Sequence, residues 1–92
     1  MFKHKTADGK HNISGNKVFE LRKKLPGKVS QRMLAEQMQL IGLDMDKTAI
    51  RRIENGERYI TDIELKAFCE FFNVNANYFL NLSTIPSYLK YD

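Results

Sequence analysis

The chain has 92 residues, 42% of them apolar and 28% charged, the balance of one folded domain too small to enclose a large active site. Its single cysteine, Cys69, excludes an internal disulfide and a cysteine-only metal cage, and no apolar run approaches the ~20 residues that span a bilayer. The net charge of +4 is uneven: residues 1–28 carry eight Lys or Arg against two acids, residues 29–60 five against five, and residues 61–92 two against four. A basic start and an acidic end suit either a face presented to a polyanion or a solubilising tail. No charged start followed by an apolar run marks a secretion signal, so the expected location is the cytoplasm.

Residues 1–14, opening "MFKHKTADGKHN", are polar and basic without an apolar period and read as a flexible N-terminal arm. Val18, Leu21 and Leu25 recur at spacings of three and four, one face of a short helix that ends before Pro26-Gly27. Ser30 suits an N-cap, Leu34, Ala35 and Met38 follow at helical spacing, and Gly42 supplies a stop. After "LDMD", Asp46 caps a third helix from Lys47 to about Glu54, closed by Asn55-Gly56. "TDIE" at 61–64 has the spacing of a capping box, and Leu65, Phe68, Cys69 and Phe72 fall on one face of a fourth helix. "VNANYFLN" reads as a fifth short helix capped by Asn75, and residues 83–92 as a tail in which Pro86 can open another turn. Without a strand-like alternation, the expected class is all-α.

At about 100° per residue from Ile50, Ile53 falls near 300° and Ala49 near 260°, while Arg51, Thr48 and Arg52 fall near 100°, 160° and 200°. The third helix therefore buries one edge and leaves Thr48, Arg51 and Arg52 facing outward, with Lys47 at the rim. Such a face matches what major-groove reading needs, because arginine forks onto guanine and threonine offers a hydroxyl and a methyl. A charged solvated face is the bland alternative. Helix two with a small residue, Ala35, in its middle, a connection, and a short Gly-terminated helix three have the order of a helix-turn-helix.

Through "VFELRKK", "SQRMLAEQM", "TAIRRIENGER" and "TDIELKAFCEFFNVNANYFL", residues 15–82 resemble the phage-repressor and Cro-like helix-turn-helix family. The resemblance implies a five-helix, lambda-repressor-like DNA-binding domain that meets double-stranded operator DNA as a homodimer, with the helix at 47–54 in the major groove. Carried over, Lys47, Thr48 and Arg51 take base-reading positions, and Gln31, Arg52, Asn55, Arg58 and Tyr59 take phosphate positions. Arg22, about 40° from Val18, and Glu54, about 40° from Ile50, each flank a buried stripe, and the resemblance places them at positions that pair in the family's interior. The connection from Met38 to Asp46 is about five residues longer than usual. That excess either extends helix two and shifts the reading helix or lies outside as a small loop.

The remaining residues point to little chemistry. His4 and His11 stand in the arm without a supporting ligand cluster, no nucleophile, base and orienting group form a motif, and no Gly-rich phosphate loop is present. No metal, cofactor or catalytic activity is expected. Cys69 reads as inert packing, and Met33, Met38 and Met45 as core or interface filler. Phe71, Phe79, Ile85, Tyr88, Leu89 and Tyr91 exceed what a five-helix monomer covers easily, and serve either dimerisation or packing on the same domain. The function read from all this is a sequence-specific transcriptional regulator, a repressor reading an inverted repeat. An antitoxin-like protein-interaction module whose DNA binding is autoregulatory is the alternative.

Overall fold

In the computed structural model of the chain, which describes residues 9–80, five helices follow in order: α1 Gly15–Lys24, α2 Gln31–Leu40, α3 Lys47–Glu54, α4 Asp62–Phe72 and α5 Ala76–Leu80. No strand occurs among the described residues, and the class is all-α.

Local side chains start most of these helices. Ser30 Oγ accepts from Met33 N at 3.1 Å, Asp46 Oδ1 from Ala49 N at 2.8 Å, and Asn75 Oδ1 from Tyr78 N at 3.2 Å. At α4, Glu64 N donates to Thr61 Oγ1 at 3.2 Å and Thr61 N to Glu64 Oε1 at 3.0 Å, a complete capping box. Left-handed glycines stop α2 and α3. At Gly42, φ +98°, Leu43 N turns back to Met38 O at 3.0 Å; at Gly56, φ +75°, Glu57 N turns back to Arg52 O at 2.7 Å.

Val18, Leu34, Ala35, Met38, Met45, Ile50, Ile53, Phe68 and Phe79 form the core, with α3 packed against both α1 and α2. Phe79 is fully buried beside Phe68, ring centroids 6.5 Å apart, so it does not belong to a spare apolar surface; Phe71 is half-buried. Ile85, Tyr88, Leu89 and Tyr91, and with them the expected dimerisation tail, lie outside the described residues. So does His4.

The long connection is a compact return. Helix α2 runs on to Leu40, Gly42 reverses the chain, and Met45 drops back into the core at 2% exposure while Gln39 Nε2 donates to Met45 O at 2.6 Å. This tether fixes the chain immediately before the Asp46 cap, so the extra residues bulge beyond α2 without loosening the start of α3.

Residues 9–14 differ from the expected arm. His11 N donates to Gly56 O at 2.8 Å, and Ser14 Oγ, in a residue only 3% exposed, donates to Phe79 O at 2.9 Å. Asn12 Nδ2 donates to Ile53 O at 3.0 Å and Arg58 O at 2.9 Å, while Asn12 Oδ1 accepts from Ser14 N at 3.1 Å and Gly15 N at 2.7 Å. Polar bonds to main-chain groups hold this stretch, and those bonds leave no apolar period in the sequence.

Candidate nucleic-acid interface

Helix α3 is presented by its buried edge. Ile50 and Ile53 are fully buried, whereas Lys47, Thr48, Arg51 and Arg52 are all exposed, the division its 3.6-residue period requires. Ala35, 2% exposed, lines the cleft between α2 and α3, which opens between Arg32, Glu36 and Gln39 on one side and Asp46, Lys47 and Thr48 on the other. A second cleft is lined by Lys23, Lys28, Ser30, Gln31 and Lys47, with Arg22 and Val29 behind. Lys47 borders both, so the exposed edge of α3 continues into a basic surface around the start of α2. Sequence reading did not single out Lys23, Lys28 or Arg32, which carry no motif and join this surface only through the fold. Lys28 holds a left-handed φ of +53°, a conformation non-glycine residues adopt at a cost.

The buried ion pair lies beneath this surface. Arg22 Nε donates to Glu54 Oε2 at 2.7 Å and Nη2 to Glu54 Oε1 at 2.9 Å, with the two residues 5% and 7% exposed. Arg22 Nη1 also donates to Val29 O at 2.9 Å, and Gln31 Nε2 donates to Glu54 Oε1 at 3.0 Å. Among the described residues, no buried side-chain nitrogen or oxygen lacks a partner. One carboxylate thus joins the end of α1, the first residue of α2 and the last residue of α3. Gln31 is an internal brace in this arrangement, half-buried beside the basic cleft.

Beyond α3 the polar side chains are partnered. Arg51 Nη1 donates to Glu57 Oε2 at 3.3 Å and Asn55 Nδ2 to the same oxygen at 3.1 Å, all at the surface. Tyr59 meets His11 edge-on at 4.9 Å between ring centroids and lines a separate cleft with Asn12, Ile60 and Leu65. Arg58, expected at a phosphate position, is paired within the domain. Its Nη1 and Nη2 donate to Glu64 Oε1 and Oε2 at 2.9 and 2.7 Å, and Nη1 also donates to Tyr59 O at 2.6 Å. The bidentate hydrogen bond to Glu64 raises the Arg58 pKa further, against a smaller opposing effect of burial.

Burial alone would push the Glu64 carboxyl up, but the hydrogen bonds from Arg58 and from the Thr61 backbone outweigh it and hold the group below its ordinary value. A folded value below the unfolded one contributes stability that is present above about pH 4.3 and is lost as pH falls through the folded value. Glu64→Gln is therefore expected to melt below the parent near neutrality, with the gap closing as pH falls through the lowered folded value. A gap that does not narrow as pH falls through the carboxylate range would show that ionisation of Glu64 adds nothing to stability.

Burial also pushes the Cys69 thiol up, away from the reactive thiolate. No group of three or more His, Cys, Asp or Glu among the described residues can hold a metal ion, and no described helix is long and apolar enough to cross a membrane. In comparison with known proteins, the family model described as helix-turn-helix matches residues 18–79, more than half of the chain. No curated protein and no solved structure matches.

Proposed function

The chain belongs to the phage-repressor/Cro-like helix-turn-helix family of DNA-binding transcriptional regulators, and from that premise we propose that it is a repressor reading an inverted-repeat operator as a homodimer. The observation that supports this most is the exposed edge of α3. Lys47, Thr48, Arg51 and Arg52 stand out on a helix whose other edge is locked into the core and whose start is capped and tethered.

In this reading Lys47, Thr48 and Arg51 meet base edges in the major groove, and Arg52, Asn55 and Tyr59 meet phosphates. Gln31 serves from the α2 start, where Lys23 and Lys28 extend the cationic track available to the backbone. Arg58 works through Glu64, fixing the chain between α3 and α4 rather than reaching outward. Glu54 and Arg22 hold α3 and do not touch DNA.

Affinity for duplex DNA is expected to fall steeply with salt, with a log-log slope of about −0.9 for each phosphate contacted. Selecting sites from a random duplex pool tests DNA binding, the palindrome and the half-site spacing together. Arg51→Ala should relax preference at one or two positions of the selected site, by about 1–3 kcal/mol per lost fork, whereas Lys24→Ala should not. A chain that binds no random or selected duplex at about 50 mM salt refutes the reading.

A second reading, an antitoxin-like module with autoregulatory DNA binding, is favoured by one surface feature. Met33 and Leu40 lie seven residues apart on α2, within about 20° around the helix, and they are 44% and 78% exposed, with Ile41 beside them at 50%. Co-purification of a stoichiometric complex with the product of a neighbouring gene, lost on Leu40→Asp, distinguishes it.

A further inference from the structure

Glu57 is an acid placed among residues assigned above to a polyanion. It follows Gly56 at the exit of α3, and its backbone N–H donates to Arg52 O at 2.7 Å, so its main chain is fixed to the helix's last turn. Its side chain stays 47% exposed, and its Oε2 accepts from both Arg51 Nη1 and Asn55 Nδ2. The fold gives little reason for a carboxylate here. An exposed pair of this kind adds little to stability, and a negative charge at a helix C-terminus opposes the helix dipole. For simple attraction of phosphate it is also the wrong sign.

Resting on the function proposed above, we propose that Glu57 is a positioning residue that directs Arg51 toward bases and away from phosphates. A guanidinium has five N–H donors, and Glu57 engages one, which orients the plane while leaving enough donors for a fork onto guanine O6 and N7. A phosphate approaching the same guanidinium meets the carboxylate's charge, whereas an uncharged base edge does not. Glu57 thus lowers affinity for every duplex and raises the difference between the right duplex and the wrong ones, which is how specificity is measured.

The test compares the full chain, Glu57→Ala, Arg51→Ala and the double variant on the selected duplex, its single-base changes and a random duplex, across a salt series. Glu57→Ala is expected to bind random duplex more tightly, with a slope steeper by about 0.9 for each phosphate gained. Discrimination at the base read by Arg51 should drop about fivefold or more, and the Glu57 effect should vanish in the Arg51→Ala background. Equal melting temperatures separate this from a loss of fold. Discrimination or slope left unchanged by Glu57→Ala overturns the proposal, as does an equal change in both backgrounds. A parent chain that binds no duplex overturns the DNA-binding function itself, a result distinct from a discriminating parent with indifferent Glu57 variants.

Discussion

Gly15→Ala is expected to destabilise the domain by about 3 kcal/mol or more, read in thermal melting as a fall of roughly 12–24 °C. An ideal Cβ at this position would lie 1.9 Å from Ile53 O and 2.9 Å from Ile53 C, both main-chain atoms of α3. Neither side can retreat cheaply. Ile53 is fully buried and its carbonyl accepts from Asn12 Nδ2, while Gly15 N is itself bonded to Asn12 Oδ1. The cost is steric rather than conformational, and Gly27 supplies the comparison. Gly27 has φ +86° with nothing within 4 Å of its would-be Cβ, so Gly27→Ala should cost only the left-handed penalty of about 1–2 kcal/mol. If the two variants melt together, the close crossing of α1 and α3 is not what Gly15 permits.

Glu54→Gln should lose about 3–5 kcal/mol in denaturant unfolding, because it leaves the Arg22 guanidinium buried without a counter-charge. The amide retains one acceptor oxygen, where the carboxylate receives Arg22 Nε, Arg22 Nη2 and Gln31 Nε2. Replacing both partners, as Arg22→Met with Glu54→Leu, should return much of that stability, since an apolar pair of similar volume need not be desolvated as ions. Full recovery is not expected: Val29 O and Gln31 Nε2 would each lose a partner. Glu54→Gln unfolding at the parent's midpoint would show that the pair holds nothing together.

What could be read before folding was whatever acts within a few residues. Ser30, Asp46 and Thr61 cap backbone groups three positions on, and Gly42 and Gly56 reverse the chain by their own φ, so helix order and limits could be read from the chain itself. The exposed edge of α3 followed from one period, and the wheel angles of Arg22 and Glu54 set both at the margins of buried stripes. The tight spot at Gly15 could not be read this way, because its cause is a carbonyl thirty-eight positions later. Nor could the order of residues 9–14, which depends on one asparagine side chain meeting main-chain atoms across the fold. The Arg58 pairing was hidden for a similar reason: its partner Glu64 lies six residues away through a non-helical bend, where no period relates them.

The knot around Asn12 also sets the order in which the domain can be completed. Its bonds join partners 41 and 46 residues apart, and Ser14 reaches across 65 residues to Phe79. During synthesis, the segment before α1 emerges ahead of α5 and has to wait for it before its last acceptor exists. Helices α2 and α3, adjacent in sequence, can meet much earlier, whereas closing Ser14 onto Phe79 spans 65 residues, most of the described domain, and carries the larger entropic cost. Slow, late protection of the Ser14 and Gly15 amides in pulse-labelled hydrogen exchange is the kinetic signature of that closure.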